Sequence, residues 1–493
     1  MAGSFVAYHE PGIVEILTIV SFFFILSLAE WLSAKIIRAG IIGQITVGIV
    51  YGKPLADILE TDWQKTFLSL GYVGLILIIF EGGGLGARID LLRENFVLSM
   101  VGAATGVCFP IGLSYLLLYL GFGYGPVETF IIGAALSATS LGTTFAVISS
   151  ASSKINLAQT RIGSVLVSAA VIDDVVGLVM SSVIGNLGKI EGGGDINLGW
   201  LIGRPIVASI GMALVTPVVT KYIFAPIFRR YIEYHFARFD HISNIVLMTL
   251  VLSAFISIAA FAGTSVLFGS FLAGTFLSYL PSKHPEGPFV VMSREEGERE
   301  AGKSPTFVHT FERYLLDVQK YLMEPLFFAS VGFAIPFVQL WTGERIWRGI
   351  VFTLLMIFAK FVVGGWIPFW NFLSPKSLLK RKTSDEANEF TGEATCDSGQ
   401  HTGKIKRVTA SLSGLLLGSA MVARGEIGLL IIEIGYNETS YVSEDGFIIG
   451  VWAILLNTII GPVAVGLLVK YYGKRIAEGE WGLQNPAVSV QGH

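Results

Sequence analysis

The sequence predicts an all-α polytopic membrane protein with about 13 transmembrane helices, and three observations support this fold class. Hydrophobic residues make up 53% of the 493 residues and charged residues only 14%, whereas soluble domains have roughly 25% charged residues. The apolar residues are gathered into long runs. Most charged residues lie between these runs, so each charge inside a run needs its own explanation.

The first half of the chain contains seven apolar runs long enough for helices, since about 20 apolar residues cross the hydrocarbon core of a bilayer. Several of them contain glycine, which loosens a helix or allows a close approach. These runs lie at 13 to 34, 40 to 53, 66 to 84, 95 to 120, 127 to 150, 159 to 188 and 198 to 224.

The second half adds six runs, at 243 to 261, 263 to 280, 316 to 338, 347 to 370, 408 to 434 and 446 to 470. Two long polar segments separate them, at 281 to 315 and at 371 to 407. Their composition favours flexible or regulatory loops over folded domains. The sequence therefore predicts one transmembrane domain over 1 to 470, two loops, and a tail at 471 to 493.

Two of the runs are interrupted by small and hydroxylated residues. The first interruption is SATSLGTTFAVISS at 137 to 150, and the second, SLSGLLLGSAMVARGEIGLL, lies at 411 to 430 and includes Ser419. Backbone can unwind at membrane depth only where protein or a cavity covers it. Close packing through small residues is the simpler interpretation of each stretch alone. Breaks at corresponding places in two halves, however, indicate an inverted-repeat transporter with half-helices meeting at the midplane.

Two adjacent acids, Asp173 and Asp174, lie midway along the run at 159 to 188. A charge at bilayer depth costs on the order of 3 kcal/mol or more, so such a residue indicates a functional site. Adjacent helical residues point about 100° apart, which allows the two side chains to hold different partners. A soluble buried helix or a loop fits the apolar flanks poorly. A protonated pair that only bridges helices is the other alternative, and the ionisable interpretation leads.

Lys360 lies near the middle of the run at 347 to 370, flanked by phenylalanines. Snorkelling to the interface is the ordinary behaviour of a membrane lysine, but this depth favours a buried partner. An ion pair between Asp173 and Lys360 would lower the cost of burying both charges. Glu324, Arg424 and Glu426 are further charges in or near the membrane, and we interpret them first as structural pairs that hold a broken helix.

The distribution of basic residues predicts the orientation. With the N-terminus outside, the inner segments receive roughly four times as many Lys and Arg residues as the outer ones, as the positive-inside rule requires. The tail and both polar segments are then cytosolic. Asn437 begins a glycosylation sequon on the outer side, in a loop so short that we expect no modification.

Other classes of protein fit less well. Gly192 to Asp195 matches the short motif of intramembrane aspartyl proteases, but it lies in a polar, glycine-rich connection. Gly82, Gly84 and Ala87 form a loose dinucleotide fingerprint without a βαβ pattern. A channel is the stronger competitor, although channels favour symmetric rings or filters. The two cysteines lie apart, no His or Cys cluster suggests a transition metal, and no basic aromatic face suggests nucleic acid.

Five motifs taken together resemble the monovalent cation/proton antiporters, in the bacterial-type sodium/proton exchanger branch with two aspartates. The similarity covers nearly the whole chain. Any one motif alone would be weak, and their order makes the combination specific. The motifs are VIDDVVGLV at 171 to 179, SATSLGTTFAV at 137 to 147, Lys360, PLFFASVGFAIP at 325 to 336, and ARGEIGLLI at 423 to 431.

The resemblance implies a role for each matching residue. Asp174 is implied as the proton carrier and the site of Na+, Asp173 as the partner of Lys360, and Thr139, Ser140 and Thr143 as groups that help coordinate the ion. Electroneutral relatives commonly have asparagine before the aspartate. Asp173 departs from that pattern, which favours electrogenic exchange, with Na+ ahead of K+ and Li+ also accepted.

The resemblance also implies an architecture and an assembly. It implies a homodimer in a lipid membrane, most simply the plasma membrane. A core bundle at about 95 to 188 and 347 to 470 would move against a dimer domain at about 13 to 84 and 198 to 280. Neither a cofactor nor catalysis is expected. A K+/H+ antiporter of the same fold is the alternative.

Overall fold

The computed structural model describes residues 10–85, 96–140, 160–188, 198–232, 240–279, 307–373, 397–479 and 481–482, and these residues form helices and connecting turns. The principal helices are α1 (Ile13–Ile37), α2 (Gly40–Tyr51), α3 (Thr61–Ile78), α4 (Phe96–Ser114), α5 (Pro126–Ser137), α6 (Arg161–Leu187), α7 (Leu198–Val219), α8 (Asp240–Ala262), α9 (Val266–Tyr279), α10 (Phe307–Tyr314), α11 (Glu324–Ala334), α12 (Gly343–Gly364), α13 (Trp366–Leu373), α14 (Asp397–Val422), α15 (Glu426–Asn437) and α16 (Glu444–Ala477).

Shorter helical pieces extend several of these helices. They are π-helical at Ile79–Leu85, Tyr115–Gly121, Thr220–Phe224, Phe228–Ile232 and Gln319–Met323, α-helical at Ala225–Ile227 and Leu316–Val318, and 3₁₀ at Phe337–Trp341. Counting such extensions, nine helices among the described residues are long and apolar enough to cross a bilayer. Shorter apolar helices lie at Gly40–Tyr51, Pro126–Ser137 and Val266–Ser278. The predicted all-helical membrane fold is confirmed, whereas the count of 13 spans stays a prediction.

Three boundaries differ from the prediction. Helix α5 ends at Ser137, so the run at 127 to 150 is not a continuous helix. Helix α14 begins at Asp397, within the segment predicted as the loop at 371 to 407. Helix α10 lies within the predicted loop at 281 to 315, where Phe307 and Phe311 are buried in an apolar cluster. Burial of this amphipathic face is the physical reason for order in a segment of polar composition.

The smaller of two compact units consists of the described residues of Met1–Leu75 and Asp317–Trp341. Its centre is an apolar cluster in which Phe22 stacks on Phe67, with ring centroids 5.3 Å apart. Helices α2 and α11 cross closely because each presents a glycine, Gly48 or Gly332, to the backbone of the other helix. A Cβ at Gly48 would lie 2.0 Å from the Ala329 carbonyl oxygen, so no side chain fits there.

The larger unit, Ile76–Leu316 and Thr342–His493, contains the helices that carry the predicted site. Helices α4, α5, α6, α12, α14, α15 and α16 pack against one another in it. Helices α7, α8 and α9 belong to the same unit, although the predicted division placed 198 to 280 with the first segments. The core bundle and dimer domain therefore stay predictions.

The N-terminal end of α6 is capped by side chain and backbone. The Thr160 side chain accepts a hydrogen bond from the first turn of the helix, a typical N-cap. The next two backbone amides, those of Arg161 and Ile162, donate to the carbonyl oxygens of Gly482 and Trp481 over 3.1 and 3.0 Å. Residues after the last helix thus satisfy donors that helix geometry leaves free.

Trp481 is held in place by its own side chain. The indole is 1% exposed and belongs to an apolar cluster at one end of the packed helices. Its Nε1 donates to the Asn371 side chain over 3.1 Å. The Arg161 guanidinium lies 4.4 Å from the ring centroid, which adds a cation–π contact. These contacts join the tail to the N-terminal end of α6.

Candidate ion-binding site

Two interrupted helices cross at the centre of the larger unit. Helix α5 stops at Ser137 and continues as extended chain at Ala138, and residues 423–425 separate α14 from α15. The Ser140 amide donates to the Ala423 carbonyl over 2.9 Å, which joins the two breaks through backbone atoms. Unwound peptide groups are thereby satisfied within protein, as a break at membrane depth requires.

The acids lie on α6, an unbroken helix that packs against α4, α5 and α15. Asp173 is completely buried, whereas Asp174 is partly accessible. This difference follows from helix geometry, since adjacent side chains point about 100° apart. Gly177 makes room for the crossing, because a Cβ there would lie 3.0 Å from Ile427 on α15.

Lys360 on α12 provides the counter-charge for Asp173. Its Nζ lies 3.4 Å from Asp173 Oδ2, and both side chains are completely buried. The same ammonium donates to the Ser137 carbonyl over 2.6 Å and to Thr139 Oγ1 over 3.0 Å. Three acceptors match the three N–H bonds of a lysine. A buried charge that is both paired and fully hydrogen-bonded is the arrangement that a low-dielectric interior tolerates.

Thr139 connects the first break to this ion pair. Its hydroxyl donates to Asp173 Oδ2 and accepts from Lys360 Nζ. The Ser137 carbonyl, one of the last four that an α-helix leaves without an internal partner, accepts from the lysine. The end of α5 is therefore fixed by a side chain from another helix.

Asp174 faces the second break. Asp174 interacts electrostatically with Glu426, Asp173 and Lys360. Its Oδ1 is buried and has no hydrogen-bond partner among the described residues. Glu426, the first residue of α15, is partly accessible and lies within hydrogen-bonding reach of the Ser140 hydroxyl. A carboxylate oxygen with no donor, beside a second carboxylate, is a site that a cation or a proton would stabilise.

Arg424 is the second buried cation of the site, and it is completely inaccessible. Its Nη1 donates to the Ala138 carbonyl over 2.9 Å, so it joins the second break, in which it lies, to the first. Its own carbonyl accepts from Thr458 of α16 over 3.0 Å. The positive charge of Arg424 interacts favourably with Asp173 and unfavourably with Lys360.

The remaining predicted residues lie elsewhere or outside the described residues. Ser419 is buried on α14, one turn before the break. Glu324 begins α11 in the smaller unit. Thr143 lies outside the described residues, as does the protease-like motif at 192 to 195. The structure therefore brings together Asp173, Asp174, Lys360, Thr139, Ser140, Arg424 and Glu426.

The sequence analysis missed three polar residues within the helices, of which Glu128 and Asn457 are buried and Glu433 is partly accessible. Glu128 accepts hydrogen bonds from the Ser443 amide and hydroxyl over 2.9 and 2.5 Å and joins the starts of α5 and α16. Glu433 lies on α15, and Asn457 on α16 has no partner for its amide among the described residues. Glu433 could have been identified from the sequence, because it is a charged residue within the apolar run LLIIEIG.

Known proteins are similar to this chain over most of its length. The profile of the family described as "Sodium/hydrogen exchanger, transmembrane" matches residues 19–471. A Na(+)/H(+) antiporter of Enterococcus hirae is 25% identical over 442 residues, which are 88% of this chain and 92% of that protein. The Na(+)/H(+)-K(+) antiporter GerN of Bacillus cereus is 22% identical over 444 residues, 88% and 91% of the two chains.

A solved structure shares the fold. The sodium proton antiporter MjNhaP1 from Methanocaldococcus jannaschii aligns with a TM-score of 0.53 over 93% of this chain and 99% of that chain, at 17% identity. The predicted antiporter fold is thus confirmed. Because the family profile covers the chain from its first helix to its last, this chain belongs to the transmembrane sodium/hydrogen exchanger family and is a multi-pass cation/proton antiporter.

Proposed function

We propose that Asp174 is the group that Na+ and H+ occupy in turn during exchange. The observation that carries this proposal is the buried Asp174 Oδ1 that no described residue hydrogen-bonds, in a side chain that is still partly accessible. The same oxygen cannot hold a proton and a hard cation together. Exclusive occupancy couples the two fluxes, provided that the empty, charged site does not cross the membrane.

The charges around Asp174 support this coupling. Asp173, Asp174 and Glu426 contribute three negative charges when ionised, and Lys360 and Arg424 contribute two positive ones. The five groups therefore carry one net negative charge. One bound Na+ or one bound proton makes the site neutral, and a neutral site is the one that a low-dielectric barrier admits.

Asp173 and Lys360 act in this proposal as the positioning pair. Their salt bridge fixes α6 against α12 and leaves Asp174 free to face the ion. Electrogenic exchange, which we propose because the residue before Asp174 is an aspartate and not the asparagine common in electroneutral relatives, requires a second proton for each Na+ in addition to the one that Asp174 carries. Thr139, Ser140 and Thr143 would add oxygen ligands from the first break, and Glu426 would add one from the second.

Oxygen donors favour a hard cation, and one net negative charge is balanced by a monovalent one. Na+ is the cation we propose first, with Li+ accepted by the same oxygens and K+ as the alternative substrate. The name of the Bacillus cereus relative GerN includes K(+), which makes the alternative worth testing directly.

The wider setting is part of the proposal. We place the N-terminus outside and the tail in the cytosol, in the plasma membrane, as the basic residues favour. The protein would be a homodimer in contact with lipid. The bundle that carries the site would move against the dimer domain by alternating access.

The test uses purified protein in liposomes that contain a pH indicator. A Na+ gradient is expected to drive protons in the opposite direction, and Asp174→Asn is expected to abolish this movement because the variant cannot alternate between charge states. Glu438→Gln, an exposed acid at the end of α15, serves as the control. Retention of exchange by Asp174→Asn would reject Asp174 as the carrier. A conductance without proton coupling would instead favour the channel.

A further inference from the structure

Glu433 is an acid within the membrane-spanning part of α15 that the exchange site does not use. It lies between Glu426, which begins the helix at the break, and Asn437, which ends it. One carboxylate oxygen, Oε2, accepts a hydrogen bond from Asn437 Nδ2 over 2.7 Å. The other, Oε1, is buried and has no hydrogen-bond partner among the described residues. Asn437 is neutral, so this hydrogen bond does not balance the charge.

Glu433 shares a face of α15 with the site. It follows Glu426 by seven positions, which places the two acids on the same side of the helix and about 10 Å apart along its axis. This face is the accessible one. Glu426, Leu430 and Glu433 are partly accessible and Asn437 is exposed. The opposite face is buried, as shown by Ile427, Gly428, Leu429, Ile431, Ile432 and Gly435.

Among the residues that the structure describes, no cation forms a salt bridge with Glu433. The salt bridges among the described residues involve Lys65, Arg345, Arg348 and Lys360, and none of them reaches Glu433. Uncompensated acids within a span are costly and mark ion or proton pathways. The accessible face continues from this acid to the helix end, where Asn437 and Glu438 are exposed.

We propose that Glu433 is a second, outer binding position for the exchanged monovalent cation or proton. The ion or proton would pass through this position on its way between Asp174 and the outer surface. The position lies along α15 between the exchange site and the exposed end of the helix. This proposal rests on the proposed function, because it requires exchange at Asp174 and an end of α15 that faces outward. A carboxylate there attracts the cation before it reaches the exchange site and shortens the distance that a proton must travel.

The experiment measures transport separately from each side of the membrane. In vesicles of known orientation, Glu433→Gln is expected to raise the KM for Na+ presented to the outer end of α15 about five-fold. The KM for Na+ presented to the other side and the maximal rate should change little. Glutamine retains an oxygen that can accept from Asn437, so the variant removes the charge and keeps the hydrogen bond.

Two control variants separate this role from simpler ones. Glu438→Gln removes an exposed charge at the same helix end, and an equal rise in KM there would show that general surface charge is responsible. Asn437→Ala removes the hydrogen bond and keeps the acid, so an equal effect of Asn437→Ala would show that Glu433 serves only to hold the helix end. Either result would overturn the proposal, as would an unchanged KM or an equal change from both sides.

Failure of the Glu433 proposal can be distinguished from failure of the proposed exchange at Asp174. If Asp174→Asn exchanges ions normally, the carrier assignment fails whatever Glu433 does. If Asp174→Asn is inactive and Glu433→Gln changes both sides alike, only the outer position is rejected.

Discussion

At the scale of single residues, the two adjacent acids differ in what surrounds them. Asp173 has Lys360 and Thr139 as partners and no accessible surface. Asp174 has an oxygen without a partner and faces Glu426. The first environment stabilises a permanent charge, and the second leaves a charge that an ion or a proton can neutralise. One helix thereby supplies both a fixed anchor and an exchangeable group.

Loss of Lys360 should destabilise the protein through the charge that it leaves behind. Lys360→Met removes the ammonium from a completely buried Asp173 carboxylate, and breaking one side of such a pair typically costs about 3 to 5 kcal/mol. We expect a lower melting temperature for the purified protein in detergent, measured by tryptophan fluorescence.

A second substitution tests the cause of that loss. Asp173→Asn in the Lys360→Met background removes the uncompensated charge, so the double variant should be more stable than Lys360→Met alone. If the double variant is equally unstable or worse, the loss comes from packing around Lys360 and not from its charge.

At the scale of secondary-structure elements, the function depends on two helix breaks that contact each other. Gly425 lies where the second break approaches the first, and a Cβ there would lie 2.5 Å from Ser140 Oγ. Gly425→Ala should therefore separate the breaks or displace Ser140, at a cost of about 1 to 3 kcal/mol typical of overpacking. Thermal stability in detergent measures the effect.

A compensating variant identifies the contact. Ser140→Gly removes the atoms that the new methyl group would meet, so Gly425→Ala with Ser140→Gly should regain part of the lost stability. Gly12→Ala is the matched control, because nothing lies within 4 Å of a Cβ at Gly12. Additive losses in the double variant would show that the two breaks do not press on each other at this point.

The interruptions were predictable from sequence, but their contacts were not. Small and hydroxylated residues around Ser140 and Gly425 allowed either close packing or a break in each helix alone. Their occurrence at corresponding places in the two halves indicated the broken helices. The pairing of the Ser140 amide with the Ala423 carbonyl depends on how distant segments cross, which local sequence does not encode. The same limit applied to Glu433, whose significance depends on the accessible face of α15.

At the scale of the whole molecule, the orientation is a prediction that labelling can test. Asp62, at the start of α3, and Glu478, after α16, are both exposed. After replacement of Cys108 and Cys396 by serine, Asp62→Cys should react with a membrane-impermeant maleimide in intact cells. Glu478→Cys should react only after permeabilisation. The reverse pattern would invert the topology.

The predicted set of apolar runs shows what composition can establish for a membrane protein. Long runs were readily located because hydrocarbon demands them. Helix α10 escaped prediction, since its order comes from burying Phe307 and Phe311 against distant helices. The start of α14 at Asp397 escaped too, in a segment whose polar residues resemble a loop.

The contact between Trp481 and α6 has a practical consequence for anyone who edits the end of this chain. A fluorescent fusion placed directly after Ala477, or a deletion from that point, would free the first amides of the very helix on which Asp173 and Asp174 lie. Changes in ion exchange caused by such shortening would then report on the carboxylates themselves. A fusion attached after Gly482 leaves these backbone hydrogen bonds in place.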